Sequence, residues 1–133
     1  MPVDPSLVGR EFPARAPLVV TAGRVSAFAA AVGQPDDGAV PPTFPIVLAF
    51  DAMQAFLDAE QVDLHRIIHG EQRFLYERPL RVGDELSAVL VVSGLRQIGG
   101  ADIIATASEI RDASDDLVCT GKATLVHSAG GAA

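Results

Sequence analysis

At 133 residues, 49% hydrophobic but only 5% aromatic and without Trp, the chain fits one domain whose interior is Val, Leu, Ile and Ala with Phe as the main large filler. A formal net charge of -7, with Lys122 the only lysine, repels phosphate backbones and argues against nucleic acid as a partner. It leaves room for a small anionic ligand held by local Arg side chains. The single Cys119 cannot form an internal disulfide, no leader pattern opens the chain, and no apolar run approaches the roughly 20 residues needed to cross a bilayer. The expectation is a cytoplasmic protein without membrane insertion.

Pro2, Pro5, Pro13 and Pro17 punctuate an extended lead-in that ends in the short apolar run Leu18, Val19, Val20. Thr21 stands where a helix N-cap belongs. Val25, Phe28, Ala29 and Val32 then recur at helical spacing, and Gly33 with Pro35 forms a stop signal, so the spacing predicts a first amphipathic helix. Gln34 to Pro42, rich in Pro, Asp and Gly, reads as a loop. A second helix is predicted from about Thr43, as N-cap, to Asp58. Its buried row is read as Ile46, Phe50, Met53 and Leu57, with Asp51, Gln54 and Asp58 opposite. On that reading Phe50→Asp would unfold the domain.

After Glu71 the period becomes strand-like: Arg73 to Leu80, Glu85 to Leu95, Ala101 to Arg111 and Leu117 to His127, joined by turns at Val82-Gly83-Asp84, Gly99-Gly100 and Ala113 to Asp116. In the last strand Leu117, Cys119, Gly121, Ala123 and Leu125 share the face expected to point inward. The pattern as a whole is α+β: a single domain over residues 1–127 in which an antiparallel sheet wraps a central helix, followed by a flexible tail, 128–133.

Two segments, Val40-Pro41-Pro42-Thr43-Phe44-Pro45-Ile46-Val47-Leu48 and His69-Gly70-Glu71-Gln72-Arg73-Phe74 through Arg78-Pro79-Leu80-Arg81-Val82-Gly83-Asp84, together resemble the N-terminal domain of MaoC-like dehydratases, including the A subunits of mycobacterial (R)-3-hydroxyacyl carrier-protein dehydratases. The resemblance runs from about Ser6 to Val126. It implies a hot-dog fold, a dimer joined sheet edge to sheet edge, and hydration or dehydration of an acyl thioester, with no metal and no cofactor. In that family an Asp and a His share the proton transfers from a Gly-Asp-x-Asn-Pro-x-His loop after the first helix, and a backbone N–H at a helix start polarises the thioester carbonyl. Here Gly33 is followed by Gln34-Pro35-Asp36-Asp37-Gly38, which lacks the Asn-Pro and the His.

The catalytic candidates that remain are Asp36, Asp37 and His69. The two aspartates suit a turn better, and His69 better suits a structural hydrogen bond at the entrance to its strand than a general base paired with Glu71. His65 and His69 would share a face only on a helix, and no further Cys or His completes a metal set. Thr43 and Phe44 are candidates to bind the thioester oxygen through backbone N–H groups, or simply to cap the helix. Ala49 and Met53 are candidates to line an acyl channel. Arg73, Arg78 and Arg81 suit ion pairs with Glu71, Glu77 and Asp84 better than a phosphate. His127, near the tail, is read as solvated.

Three functions follow. The chain is a subunit of an (R)-3-hydroxyacyl-thioester dehydratase or enoyl-thioester hydratase that shapes the acyl site and lacks the Asp/His dyad; or a self-sufficient hot-dog hydratase or acyl thioesterase; or a non-enzymatic acyl-binding module. Its partners would be an acyl-coenzyme A or acyl-carrier-protein thioester and a second hot-dog subunit, in a homodimer or a heterodimer with a dyad-bearing chain.

Overall fold

A computed structural model describes residues 5–35 and 37–128 of the chain. The proline-rich lead-in contributes a turn of 3-10 helix, Pro5–Leu7, and two short strands, β1 (Glu11–Pro13) and β2 (Leu18–Val19), whose Leu7, Phe12, Leu18 and the following Val20 are buried. Helix α1 spans Ala22–Val32 and starts as its sequence predicts, with the Thr21 hydroxyl accepting from the Arg24 N–H at 3.1 Å. It stops at Gly33, whose left-handed φ of 72° lets the chain turn back over the last carbonyls.

Helix α2 spans Ile46–Ala59 and departs from expectation twice. Thr43 does not cap it: the Phe44 N–H closes a turn onto the Pro41 carbonyl, Pro45 takes the cap position, and no side chain bonds there. The buried face is also rotated, to Leu48, Ala49, Ala52, Met53, Phe56 and Leu57, leaving Phe50 42% exposed. The helix is apolar around most of its circumference, so the competing row Leu48, Ala52, Phe56 wins because Ala52 lets the backbone approach the sheet closely. Asp51 and Asp58 face away and hold Arg15 of the lead-in, through its backbone N–H at 3.0 Å and its guanidinium at 2.9 Å respectively. Such exposed pairs position the lead-in more than they stabilise it.

Among the described residues the sheet has six strands. Four long ones follow α2: β3 (Ile67–Tyr76), β4 (Glu85–Ile98), β5 (Ala101–Arg111) and β6 (Leu117–Ser128). The order is β1-β4-β5-β6-β3, all antiparallel, with β2 pairing separately onto β4. Strand β3 begins six residues earlier than Arg73, the start expected from the alternation, and a 3-10 turn, Leu64–Arg66, precedes it. His65 and His69 therefore do not share a helix. The β4–β5 hairpin closes on Gly99 and Gly100, both with positive φ, as a two-residue loop demands. Leu86, Leu90 and Val92 of β4, Ile104 and Ile110 of β5, and Cys119 and Leu125 of β6 form one core with the buried face of α2, which packs chiefly on β4. This is the single hot-dog domain that the sequence predicts.

His127 is not solvated. It shares the inward parity of Cys119 through Leu125, lies 4% exposed, and donates from Nδ1 to Asp102 Oδ2 at 2.9 Å, while Gln97 Nε2 donates to the other carboxylate oxygen at 2.8 Å. Arg78 likewise grips Asp84 at 2.9 and 3.2 Å and Asp112 at 3.3 Å, riveting the β3–β4 and β5–β6 connections together. Burial works against the Asp84 carboxylate, but hydrogen bonds from Arg78 and the Arg81 N–H outweigh it and hold the group below its ordinary range. Burial also pushes the Cys119 thiol up to about 11. The folded protein is accordingly expected to resist iodoacetamide at neutral pH under conditions that fully modify the urea-unfolded chain; rapid native labelling, read by mass spectrometry, would contradict this placement.

Candidate functional site

The site is built on a departure from regular strand geometry. Along β3 the register shifts between His69 and Glu71, with Gly70 as the extra residue of a bulge. His69 pairs with Leu125 and Gln72 with Ala123. Three positions apart, they would point to opposite faces of a regular strand; the bulge puts both on the inner face. There His69 Nε2 donates to Gln72 Oε1 at 2.9 Å, which in the neutral ring leaves Nδ1 with the lone pair.

These two side chains sit at the junction of two spaces. Outside lies an open cleft of about 480 Å³ between α1 (Phe28, Val32), the head of α2 (Thr43, Ile46) and β3 (His69 to Gln72, Phe74). Inside, beneath α2, lies a nearly closed crevice of about 10 Å³. Ile46, His69 and Gln72 line both. At the far end of β3 the Tyr76 hydroxyl donates to the Pro42 carbonyl at 2.5 Å and ties the loop before α2 to the sheet. Burial, with the Cys119 thiol nearby, drives the phenol above its ordinary range, so it acts as a hydrogen-bond donor and not as an acid.

The candidates separate accordingly. Thr43 lies at the cleft, and its backbone N–H has no acceptor among the described residues. Phe44 is buried edge-to-face against Phe28, with ring centroids 5.4 Å apart, and its N–H is engaged by Pro41. Ala49 and Met53 line the inner crevice. His69 is at the cleft, but its suggested partner Glu71 is taken by Arg73 at 3.1 Å. Asp37 makes a turn, accepting the Ala39 N–H at 3.1 Å, and does not line the cleft. Asp36 lies outside the described residues. No three His, Cys, Asp or Glu side chains gather as a metal set among the described residues, and none of the described helices is long and apolar enough to cross a membrane. Sequence reasoning missed Gln72, Thr106 and Ser108 as lining residues; for the two hydroxyls the signal was their β5 parity with Ile104 and Ile110.

A bent sheet around one helix, with an open cleft at the helix head, defines a hot-dog protein, and comparison with known proteins agrees. Residues 36–121 match the family described as FAS1-like, dehydratase domain region. A UPF0336 protein of Clavibacter michiganensis is 38% identical, the match covering 95% of this chain and 96% of that one. Among solved structures, the HadBC (3R-hydroxyacyl-ACP dehydratase) complex of Mycobacterium tuberculosis superposes with a TM-score of 0.78 at 24% identity, over 90% of this chain and 96% of that one. The (R)-hydratase from A. caviae involved in PHA biosynthesis gives 0.61 at 23%, over 89% and 94%. The chain belongs to the FAS1-like dehydratase-region family of MaoC-like hot-dog proteins, and the UPF0336 proteins are its relatives.

Proposed function

We propose that the protein is the acyl-site-shaping subunit of an (R)-3-hydroxyacyl-thioester dehydratase or enoyl-thioester hydratase, and that its partner is a dyad-bearing hot-dog chain. The observation that carries this reading is the composition of the cleft: apolar walls from Phe28, Val32, Ile46 and Phe74, and a Thr43 N–H suited to a thioester carbonyl, but a histidine that bonds the Gln72 amide while the lining carboxylate, Glu71, is paired with Arg73. Such a cleft can hold and polarise an acyl thioester while the proton transfers fall to another chain. The partner has an edge to join: β3 is the last strand of the sheet, with Ile68 67% exposed and Leu75 and Tyr76 also at the surface. The solved HadBC relative in fold is itself a complex. A lone, buried thiol suits a reducing, cytoplasmic setting.

The test is to purify the chain alone and together with a dyad-bearing hot-dog chain encoded beside it, following solution mass by light scattering and enoyl-thioester absorbance. A species heavier than 13.9 kDa that turns over substrate only in the mixture supports the reading. The presence of His69 in the cleft favours one competitor, a self-sufficient hydratase; full turnover by the chain alone, lost in His69→Ala, would establish it instead.

A further inference from the structure

The segment that leads into α2, Pro41-Pro42-Thr43-Phe44-Pro45, is held by bonds from each N–H to the carbonyl three residues back: Phe44 to Pro41 at 2.9 Å, Ile46 to Thr43 at 3.0 Å and Val47 to Phe44 at 3.1 Å. The series has one gap. The Pro42 carbonyl would ordinarily receive the N–H of residue 45, but that residue is a proline and has none. Tyr76, the single tyrosine of the chain, fills the gap from the end of β3, its hydroxyl donating to the Pro42 oxygen at 2.5 Å. Two N–H groups remain in the segment. That of Phe44 is used within it, and that of Thr43 has no acceptor among the described residues.

The Pro42 carbonyl and the Thr43 N–H are the two ends of one trans peptide, so they point in opposite directions. They also face different spaces: Pro42 and Tyr76 line an open hollow of about 380 Å³, whereas Thr43 lines the cleft beside Phe28 and Ile46. Fixing the oxygen on Tyr76 therefore fixes the direction of the N–H. This peptide is the middle one of the turn Pro41 to Phe44, and its flip interconverts the two common turn types. The flipped form needs a positive φ at Thr43, which a β-branched residue resists and which Thr43 does not have. A hydrogen bond at the oxygen also polarises the amide and makes its N–H a stronger donor.

We infer that Tyr76 is a positioning residue for the thioester: by holding the Pro42 oxygen it aims the Thr43 N–H into the cleft and strengthens it as the donor to the thioester carbonyl. The inference rests on the acyl-thioester reading above and deepens it by naming the side chain that sets the polarising group. Tyr76 itself stands outside the cleft and acts only through the peptide. Burial keeps its phenol protonated, so the tie does not titrate near neutral pH.

The experiment uses the full chain in its assembled state and butyryl-coenzyme A isotope-labelled at the thioester carbonyl, which has no double bond or hydroxyl to react. Affinity is read by calorimetry and the carbonyl stretch by difference infrared spectroscopy. The forms compared are the parent, Tyr76→Phe, and a chain carrying fluorotyrosine, a more acidic phenol, at position 76, each first checked for a cooperative thermal transition. The expected result is that the stretch falls on binding to the parent and that Tyr76→Phe loses most of this fall while weakening affinity by no more than about tenfold. Fluorotyrosine should deepen the fall, and this form carries the test if Tyr76→Phe does not fold. A tie that only braces the loop would change stability or affinity and leave the bound carbonyl frequency as in the parent. The same frequency in all folded forms, or binding to the parent with no fall, overturns the positioning role while the thioester reading stands. Absence of binding to the parent overturns both.

Discussion

Purified alone, the chain is expected to hydrate a crotonyl thioester at least about 10²-fold more slowly than in the presence of its dyad-bearing partner, since a positioned acid or base typically contributes 10² to 10⁴-fold. Gln34 and Pro35 cannot exchange a proton near neutral pH, and Asp37 holds the Ala39 N–H in a turn that does not line the cleft. Across the cleft, His69 donates to Gln72, an amide that neither accepts nor returns a proton in turnover. His69→Ala in the assembled pair should therefore reduce kcat by less than about tenfold, whereas loss of the partner's dyad should remove nearly all of it. Progress curves of enoyl absorbance for the four combinations separate the cases, and a collapse of kcat in His69→Ala would move the chemistry onto this chain.

Phe56→Asp is expected to abolish folding, whereas Phe50→Asp should leave a folded protomer. Phe56 is fully buried, edge-to-face on Phe12 with ring centroids 4.9 Å apart, at the point where the lead-in closes over α2. A carboxylate placed there without a partner costs several kcal/mol against a total stability of about 5 to 15 kcal/mol. Phe50 lies six residues earlier, about 120° round the helix, with much of its ring at the surface and one side on the crevice, so a carboxylate can reach water at a cost of about 1 kcal/mol. Thermal melts followed by circular dichroism check both. Loss of the cooperative transition in Phe50→Asp as well would mean that Phe50 is buried in the folded protein.

The contrast between the two phenylalanines shows what could be read from the chain and what could not. Helix α1 was legible because its signals are local: Thr21 caps it, Gly33 ends it, and the apolar stripe lies between. The hairpins were legible from Gly83 and the Gly99-Gly100 pair. The phase of α2 was not, because a helix apolar on most sides offers several possible rows, and the choice is made by the sheet it meets. His127 was misjudged for a related reason. It has the inward parity of its strand, but a titratable residue near the tail is ordinarily solvated, and only the pairing of β5 with β6 brings it within 2.9 Å of Asp102. At the site, the sequence pointed to Thr43, His69, Ala49 and Met53 as separate candidates; the connection between cleft and crevice is a tertiary fact, made by strands distant in sequence.

Gly70 also makes β3 a strand with two phases. Before it, the odd-numbered Ile67 and His69 pair with the inward residues His127 and Leu125; after it, the even-numbered Gln72, Phe74 and Tyr76 pair with Ala123, Gly121 and Cys119. Deleting Gly70 would leave His69, Glu71 and Gln72 opposite Leu125, Thr124 and Ala123 in uniform alternation, with both halves of the strand in their present orientation. Inserting a residue after Arg73 would not: Phe74 and Tyr76 would turn to the outer surface, along with the tie from Tyr76 to Pro42. In an insertion and deletion scan across β3, Gly70 is thus the position where a lost residue is best absorbed. Gly70→Ala, whose added carbon meets only the Thr124 carbonyl at 3.5 Å, should be tolerated as well.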